Sequence, residues 1–443
     1  MTFLKALGIL NLLVFLGLML FSKKDRNHLF LKFILLGYPL MHIKFVPSIT
    51  SFDLFSTIFF ILFYRPKPSG VPLMGIFKYV VFVFTIVIFL GFFFAPVRVD
   101  KENFQELFTI FPLFIFVRVF VEESMDNPHF FKEVMGWCRT GLIFALIFLG
   151  AQMIVGLSLV LVPTLNPNVI ISKGIRYPGI FSDPQQFSQY LGAFGFLCMI
   201  KTDPDKPIPT LNYLLMMLSI IAILAAGGRA GLMGWGAGFF LYLLFSEGKY
   251  KFYMLGALAV IGGVALAFQD SLSIFNRGTD LDDTYAFRAM IWGDAINIFK
   301  ENPFWGIGLN NYSKYVFIHN PDQVYMTANK DIVSFDQPES GYLLFLTELG
   351  GVGFLMIALL LLLPVFNNMI RFIKTRDINY ILFFSGLVCW MIGFYSTYSL
   401  GDVRIRIMVG MLIGLMLTYG REPAHEEEDD NEENLSADQL SAA

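Results

Sequence analysis

The stretch FKYVVFVFTIVIFLGFFFA, Phe77 to Ala95, decides what solvent this chain folds in. Its one charged residue, Lys78, stands next to its start, and a run of about 20 apolar residues is what a helix needs to cross the hydrocarbon core of a bilayer. Gly341 to Leu363, GYLLFLTELGGVGFLMIALLLLL, has the same character, with Glu348 as its one charged residue. Such runs are the rule here, because the chain is 56% hydrophobic and only 15% charged. They extend over nearly the whole length, which argues for a single membrane bundle and against two or three soluble domains. The expected fold is all-α: a polytopic transmembrane helical bundle.

Thirteen spans are expected, at 3–21, 29–46, 51–64, 76–95, 107–121, 140–162, 187–200, 211–226, 229–246, 251–268, 341–363, 379–399 and 405–419. Residues 1–268 thus form ten transmembrane helices, 269–338 a large loop, 339–420 three more helices, and 421–443 an acidic tail. The first segment resembles a signal peptide in position. It lacks a small-residue cleavage site before Ser22-Lys23-Lys24, so it reads as a retained span. The tail, with Glu-Glu-Glu-Asp-Asp-Asn-Glu-Glu and no apolar period, reads as disordered and cytoplasmic. The net charge of −3 reflects that tail, and no nucleic-acid partner is expected. Cys138, Cys198 and Cys389 have unrelated spacings, giving neither a disulfide framework nor a metal pattern.

Lysine and arginine set the orientation, since cytoplasmic loops collect them. Lys23, Lys24 and Arg26; Arg65, Lys67 and Lys78; Lys201 and Lys206; Lys249 and Lys251; and Arg371, Lys374 and Arg376 share one side. The large loop then falls on the non-cytoplasmic side, with loop 163–186, the Gly227-Gly228 turn and the turn at Gly401-Asp402, and the amino terminus lies outside.

On that side, three arginine-bearing segments meet one carboxylate. Arg229 opens a span inside Gly227-Gly228-Arg229-Ala230-Gly231, where glycines leave room for a bulky anion and four-residue spacing lets helices approach closely. Within the loop, Phe287, Met290, Ile291, Ala295 and Ile298 recur at helical spacing, which predicts an amphipathic helix over 284–300 after Asp282 and Asp283. Arg288 lies near its amino-terminal end, where exposed amides and the helix dipole favour an anion and a guanidinium matches phosphate oxygens. Arg176 to Gln186, RYPGIFSDPQQ, offers Arg176 and Asp183, which either pair with each other or face a ligand. Gln185, Gln186 and Gln189 supply amides of the kind sugar hydroxyls bind. Gln337-Pro338-Glu339-Ser340-Gly341-Tyr342-Leu343 puts a carboxylate at the start of the next span. Glu348 reads as a structural partner for Arg404 or Arg406, and those two arginines could also form a basic rim for diphosphate.

The order of these segments is similar to the bacterial O-antigen ligase and polymerase superfamily: Arg-x-x-Gly-x-Phe-x-Asp-Pro, Gly-Arg-Ala-Gly opening a span, Phe-Arg-x-x-x-Trp, Asn-Pro-x-x-Gly-x-Gly, then Glu-Ser-Gly-Tyr-Leu with Glu-Leu-Gly. The resemblance covers about residues 170–365. It implies a GT-C-like glycosyltransferase using undecaprenyl-diphosphate-linked oligosaccharides, as donor and acceptor, at the periplasmic face of the inner membrane. By that resemblance Arg229 and Arg288 hold the donor's diphosphate and neither metal nor other cofactor is needed. A chain-length regulator is a plausible protein partner. Ligases of this superfamily usually carry His-Asn where this chain has Glu339-Ser340, which favours a Wzy-type repeat-unit polymerase. His319-Asn320 lies too far from Glu348 to fill that ligase position. The expected catalytic residues are Arg229, Arg288 and Glu339, with Glu339 as general base or acceptor-orienting group. Arg176, Asp183, Gln185, Gln189, Tyr342, Arg404 and Arg406 are expected to bind substrate. The alternatives are an O-antigen ligase or protein O-oligosaccharyltransferase, and, more distantly, a polysaccharide transporter or flippase.

Overall fold

The architecture was described from a computed structural model. It covers residues 2–421 apart from 23–24, 47–48, 68–69, 163–169, 172–173, 204–205, 247–249, 273, 276–280, 320–323, 327–331 and 335–336. The acidic tail and Asn320 lie outside the described residues, as do the side chains of Asp282 and Asp283.

The described residues form an all-α bundle. Its helices are α1 (Thr2–Phe21), α2 (Arg26–Leu36), α3 (Ser51–Ile58), α4 (Pro72–Phe93), α5 (Lys101–Asp126), α6 (Phe130–Val155), α7 (Pro184–Cys198), α8 (Thr210–Ala226), α9 (Arg229–Phe245), α10 (Tyr250–Ala267), α11 (Leu281–Glu301), α12 (Tyr312–His319), α13 (Gly341–Thr375), α14 (Ile378–Ser396) and α15 (Val403–Thr418). Helices α4, α5, α6, α13 and α14 are long and apolar enough to cross a membrane. Each expected span overlaps a helix at least in part, and α11 covers the loop segment expected to be helical at 284–300. Three two-stranded antiparallel hairpins, pairing Lys44 with Thr50, Ile170 with Ile175 and Tyr325 with Val333, decorate the loops.

Two spans differ from expectation. The apolar run at 29–46 is cut at Leu36, because Gly37 and Pro39 follow and proline cannot continue a helix; a 3-10 turn at Tyr38–Leu40 and a strand at Lys44–Val46 replace it. Gly350, with φ +65° and ψ −176°, breaks α13 into a short arm, 341–349, and a long segment, 351–375. The apolar pattern runs straight through this break, so hydropathy alone does not show it.

The core explains the shorter helices. In α7 and α15 almost every side chain is buried, so both are sheathed by neighbours and neither needs to span lipid by itself. Glycines set the spacing of α9 against this core: a Cβ on Gly234 would stand 2.5 Å from the Cys389 carbonyl oxygen of α14. The glycine cluster is therefore a packing surface, as its spacing suggested.

Helix α5 shows that the bundle has two distinct polar ends. At its start the Asn103 amide donates to the Leu309 carbonyl (2.7 Å) and to Asn311 Oδ1 (2.8 Å) of the large loop. At its far end Glu123 pairs with Lys67 at 3.1 Å and with His28. The 26 residues between and around these contacts rise about 39 Å at about 1.5 Å each, enough to cross a hydrocarbon core.

Candidate functional site

Arg288 and Glu339, 51 residues apart in sequence, meet directly. The Arg288 Nε and Nη2 groups donate to the same oxygen, Glu339 Oε2, at 3.0 and 2.9 Å. Their side chains are 24% and 40% exposed, so the pair is reachable. Glu339 has φ +47°, in the left-handed region that side chains with a Cβ rarely occupy. Strain of this kind costs on the order of 1–3 kcal/mol and persists where surrounding contacts fix the chain.

Those contacts are visible. Trp292, one turn beyond Arg288 on α11, donates its indole N–H to the Pro338 carbonyl at 3.0 Å. On the other side Ser340 is the N-cap position of α13, and its carbonyl accepts from Leu344 N at 3.0 Å. Gly341 lies against the Phe394 ring so closely that a Cβ would come within 2.2 Å of it. Tyr342 donates its hydroxyl to the Met391 carbonyl at 3.0 Å. Glu339 is thus held between α11 and α14.

Behind this pair the arm of α13 is locked to the turn after α11. Glu348 accepts from the Asn310 and Tyr312 amides at 2.9 and 3.1 Å. The Ile307 and Gly308 amides bond the Thr347 and Glu348 carbonyls at 3.0 and 2.9 Å. Gly306 (φ +70°) and Gly350 interleave, since a Cβ on Gly350 would sit 2.3 Å from the Phe304 carbonyl oxygen. Glu348 therefore does not pair with Arg404 or Arg406: its partners are backbone amides of the loop, which no spacing rule relates to it.

The remaining residues sit as follows. Arg229 opens α9 two residues after the left-handed Gly227 (φ +65°), is partly buried, and donates Nε–H to the Ile274 carbonyl at 3.0 Å. No contact joins it to Arg288 among those described. Asp183 caps α7, accepting from the Gln185 amide at 2.7 Å. Burial pushes the Asp183 carboxyl above its ordinary range; the Gln185 amide and the charge of Arg176 act the other way, while Asp402 and Glu339 reinforce the rise. Asp183, Arg176, Asp402 and Glu339 thus share one electrostatic neighbourhood. Arg176 and Gln189 are fully buried, and Gln189 presses against Gly393 of α14. The Gln189 amide atoms have no hydrogen-bond partner among the described residues.

Arg404 and Arg406 form no exposed rim. Arg404 is buried, joined to Asp402 at 2.9 and 2.6 Å and to the Ile180 carbonyl, with its guanidinium 4.1 Å from the Phe181 ring centre. Arg406 is buried on Asp53 at 3.0 Å and on the Thr109 carbonyl. Each has its own carboxylate, so its charge is satisfied inside the bundle. His319 is exposed at the end of α12 and stacks beside Tyr315, as expected for a solvated loop histidine.

Sequence reasoning missed Trp292 as the second tether of the Glu339 segment. Its position four residues after Arg288, on the same helix face, was the available signal.

The fold and this site define a polytopic helical membrane protein with a guanidinium–carboxylate pair at one end of the bundle. Residues 214–358 match the model of the O-antigen ligase family, so this segment is similar to the O-antigen ligase and polymerase superfamily. The matched segment runs from α8 into the long part of α13 and contains Arg229, Arg288, Glu339 and Tyr342. Arg176, Asp183, Gln185, Gln189, Arg404 and Arg406 lie outside it. No curated protein sequence matches the chain.

Proposed function

We propose that the chain polymerises undecaprenyl-diphosphate-linked oligosaccharide repeat units at the periplasmic face of a bacterial inner membrane. The observation that carries this reading is the half-exposed Arg288–Glu339 pair on a strained backbone. Two guanidinium N–H groups now spent on one carboxylate oxygen are the donors a diphosphate would take. A diphosphate occupying Arg288 would release Glu339, so donor binding and exposure of the base are one event.

In the proposed step a hydroxyl of the acceptor's sugar attacks the donor's anomeric carbon. The new C–O bond forms as the bond to the diphosphate oxygen breaks, and the hydroxyl proton passes to Glu339. Negative charge collects on the departing diphosphate, where Arg288, with Arg229 as a second guanidinium, stabilises it in a site of low dielectric. A single direct displacement inverts the anomeric configuration. Glu339 in the position that ligases fill with histidine favours a polymerase over a ligase.

Deleting the gene in its source strain tests the reading. Loss of a polymerase leaves surface glycan capped at one repeat unit; loss of a ligase leaves none attached. A glycan ladder of normal length in the deletion strain would sink both.

A further inference from the structure

A cleft opens between the long segment of α13 and helix α14, roofed by Tyr342 of the arm and by Tyr395. Its volume is about 380 Å³. Its walls are Leu362 and Val365 on one side and Val388, Met391 and Ile392 on the other. The polar groups at its mouth are the two tyrosines, and the Tyr342 hydroxyl is already spent on the Met391 carbonyl. Tyr395 and Leu362 remain 55% and 38% exposed, so the cleft is open to the outside of the bundle along α13 and α14, two helices long and apolar enough to cross a membrane.

The cleft adjoins the candidate site through side-chain contacts. The Tyr395 ring packs edge-on against Trp292 with centroids 5.2 Å apart, and Trp292 holds the Pro338 carbonyl beside Glu339. From Tyr395 down to Phe384 the cleft follows α14 for 11 residues, about 16 Å, or roughly half of a hydrocarbon core about 30 Å thick. A second apolar cleft, between α4, α5, α15 and α13, does not serve the same end. The packed rings of Phe345 and Tyr398 line it, and its one arginine, Arg406, is committed to Asp53.

We infer that the α13–α14 cleft binds the first part of the hydrocarbon chain of the lipid diphosphate whose head group occupies Arg288. This rests on the proposed function for the identity of the head group. The apolar walls recognise the chain without reading its chemistry, while the contacts from Tyr395 through Trp292 to the Pro338 carbonyl, next to Glu339, set its register against the reacting end. The cleft makes lipid anchorage part of donor recognition.

Two measurements on the full-length protein in detergent test this. In the first, a long-chain isoprenoid diphosphate with a photoactivatable group near its head is cross-linked to the wild type. The expected label falls on the α14 peptide containing Val388 to Tyr395, is competed by unlabelled isoprenoid diphosphate, and is reduced about tenfold in Val388→Trp and in Leu362→Trp, which narrow the cleft from opposite walls. In the second, the ratio of kcat/KM for a long-chain over a short, water-soluble donor falls about tenfold in the same variants. Labelling elsewhere, or competition by ordinary phospholipid as effective as by isoprenoid diphosphate, overturns the inference, the cleft then holding bilayer lipid only. Specific labelling at α14 without any glycan transfer by the wild type upholds the cleft and overturns the proposed function. Monodisperse elution of either tryptophan variant suffices, since the two walls are probed independently.

Discussion

The two polar ends of the bundle use charge in opposite ways. At one end Lys67 lies among Asp25, Glu123 and Asp126, bonded to all three, with the Glu123 and Asp126 contacts at 3.1 and 2.6 Å. These carboxylates stand close enough to share one cation, and the ammonium group fills that place. Burial works against the charge on Lys67, but the hydrogen bonds it donates to Asp126, Asp25 and Glu123 outweigh it and hold the pKa above its ordinary value. His28 ties the same Glu123 to Glu133, and Tyr64 with Arg118 binds Glu122. This network clips α2, the chain before α4, α5 and α6 together. At the other end Arg288 and Glu339 make one half-exposed pair on a strained backbone, tethered from both sides. More charge sits in the first network, yet the second has the properties of a site. What separates them is whether a partner can be exchanged for a ligand.

Breaking each end should therefore give different losses. Arg288→Ala is expected to lower the rate of chain elongation by roughly 10²–10³-fold, as for removal of one transition-state donor, while the protein remains in the membrane. Elongation rates beside membrane-fraction blots check this, and full retained activity would remove Arg288 from the mechanism. Glu339→Gln should cost about 10²-fold in turnover, with donor binding kept or strengthened because the competing carboxylate is gone. Single-turnover rates and donor affinity measured together separate the two; weaker donor binding at unchanged turnover would make Glu339 a binding contact. Lys67→Met at the opposite end is expected to destabilise the fold by about 1–2 kcal/mol, a value discounted for partial exposure, and to leave elongation per folded molecule intact. Thermal unfolding in detergent and specific activity report on it, and loss of activity at unchanged stability would contradict a clamp role.

A further effect is one of pH. His42 lies in the turn after α2, outside the spans, and burial, helped by the charge of Arg404, lowers its pKa to about 4. The unfolded chain takes up a proton below about 6.5 that the folded chain refuses until about 4, so stability is lost as pH falls through that window. His42→Asn should flatten the fall in melting temperature between those limits. An unchanged slope would locate the acid sensitivity elsewhere.

The spans were legible because an apolar run of bilayer length has few other uses, and α4 and α9 follow their runs closely, whereas α6 begins ten residues before its expected span and ends seven before its close. The break at Gly350 was not, since its cause lies in Phe304 to Gly306, more than 40 residues away, against which the backbone must turn. The same contrast holds in the site. Arg288 and Glu339 stood out locally, one near a helix start and one at a span entrance, and the fold brings them together. Arg404 and Arg406 looked equivalent on charge and position. Their carboxylates, Asp402 and Asp53, absorb them into the core, and Asp53 lies 353 residues from Arg406, beyond any local pattern.

The central claim is that Arg288 and Glu339 act on a lipid-diphosphate donor to lengthen a glycan. Purified protein incubated with one defined lipid-linked repeat unit tests it most directly, with products separated by size. The account predicts a ladder of lipid-linked multiples from the wild type and only the starting unit from Arg288→Ala. A wild type that yields no product beyond the starting unit, or an Arg288→Ala protein that builds the same ladder, would contradict it.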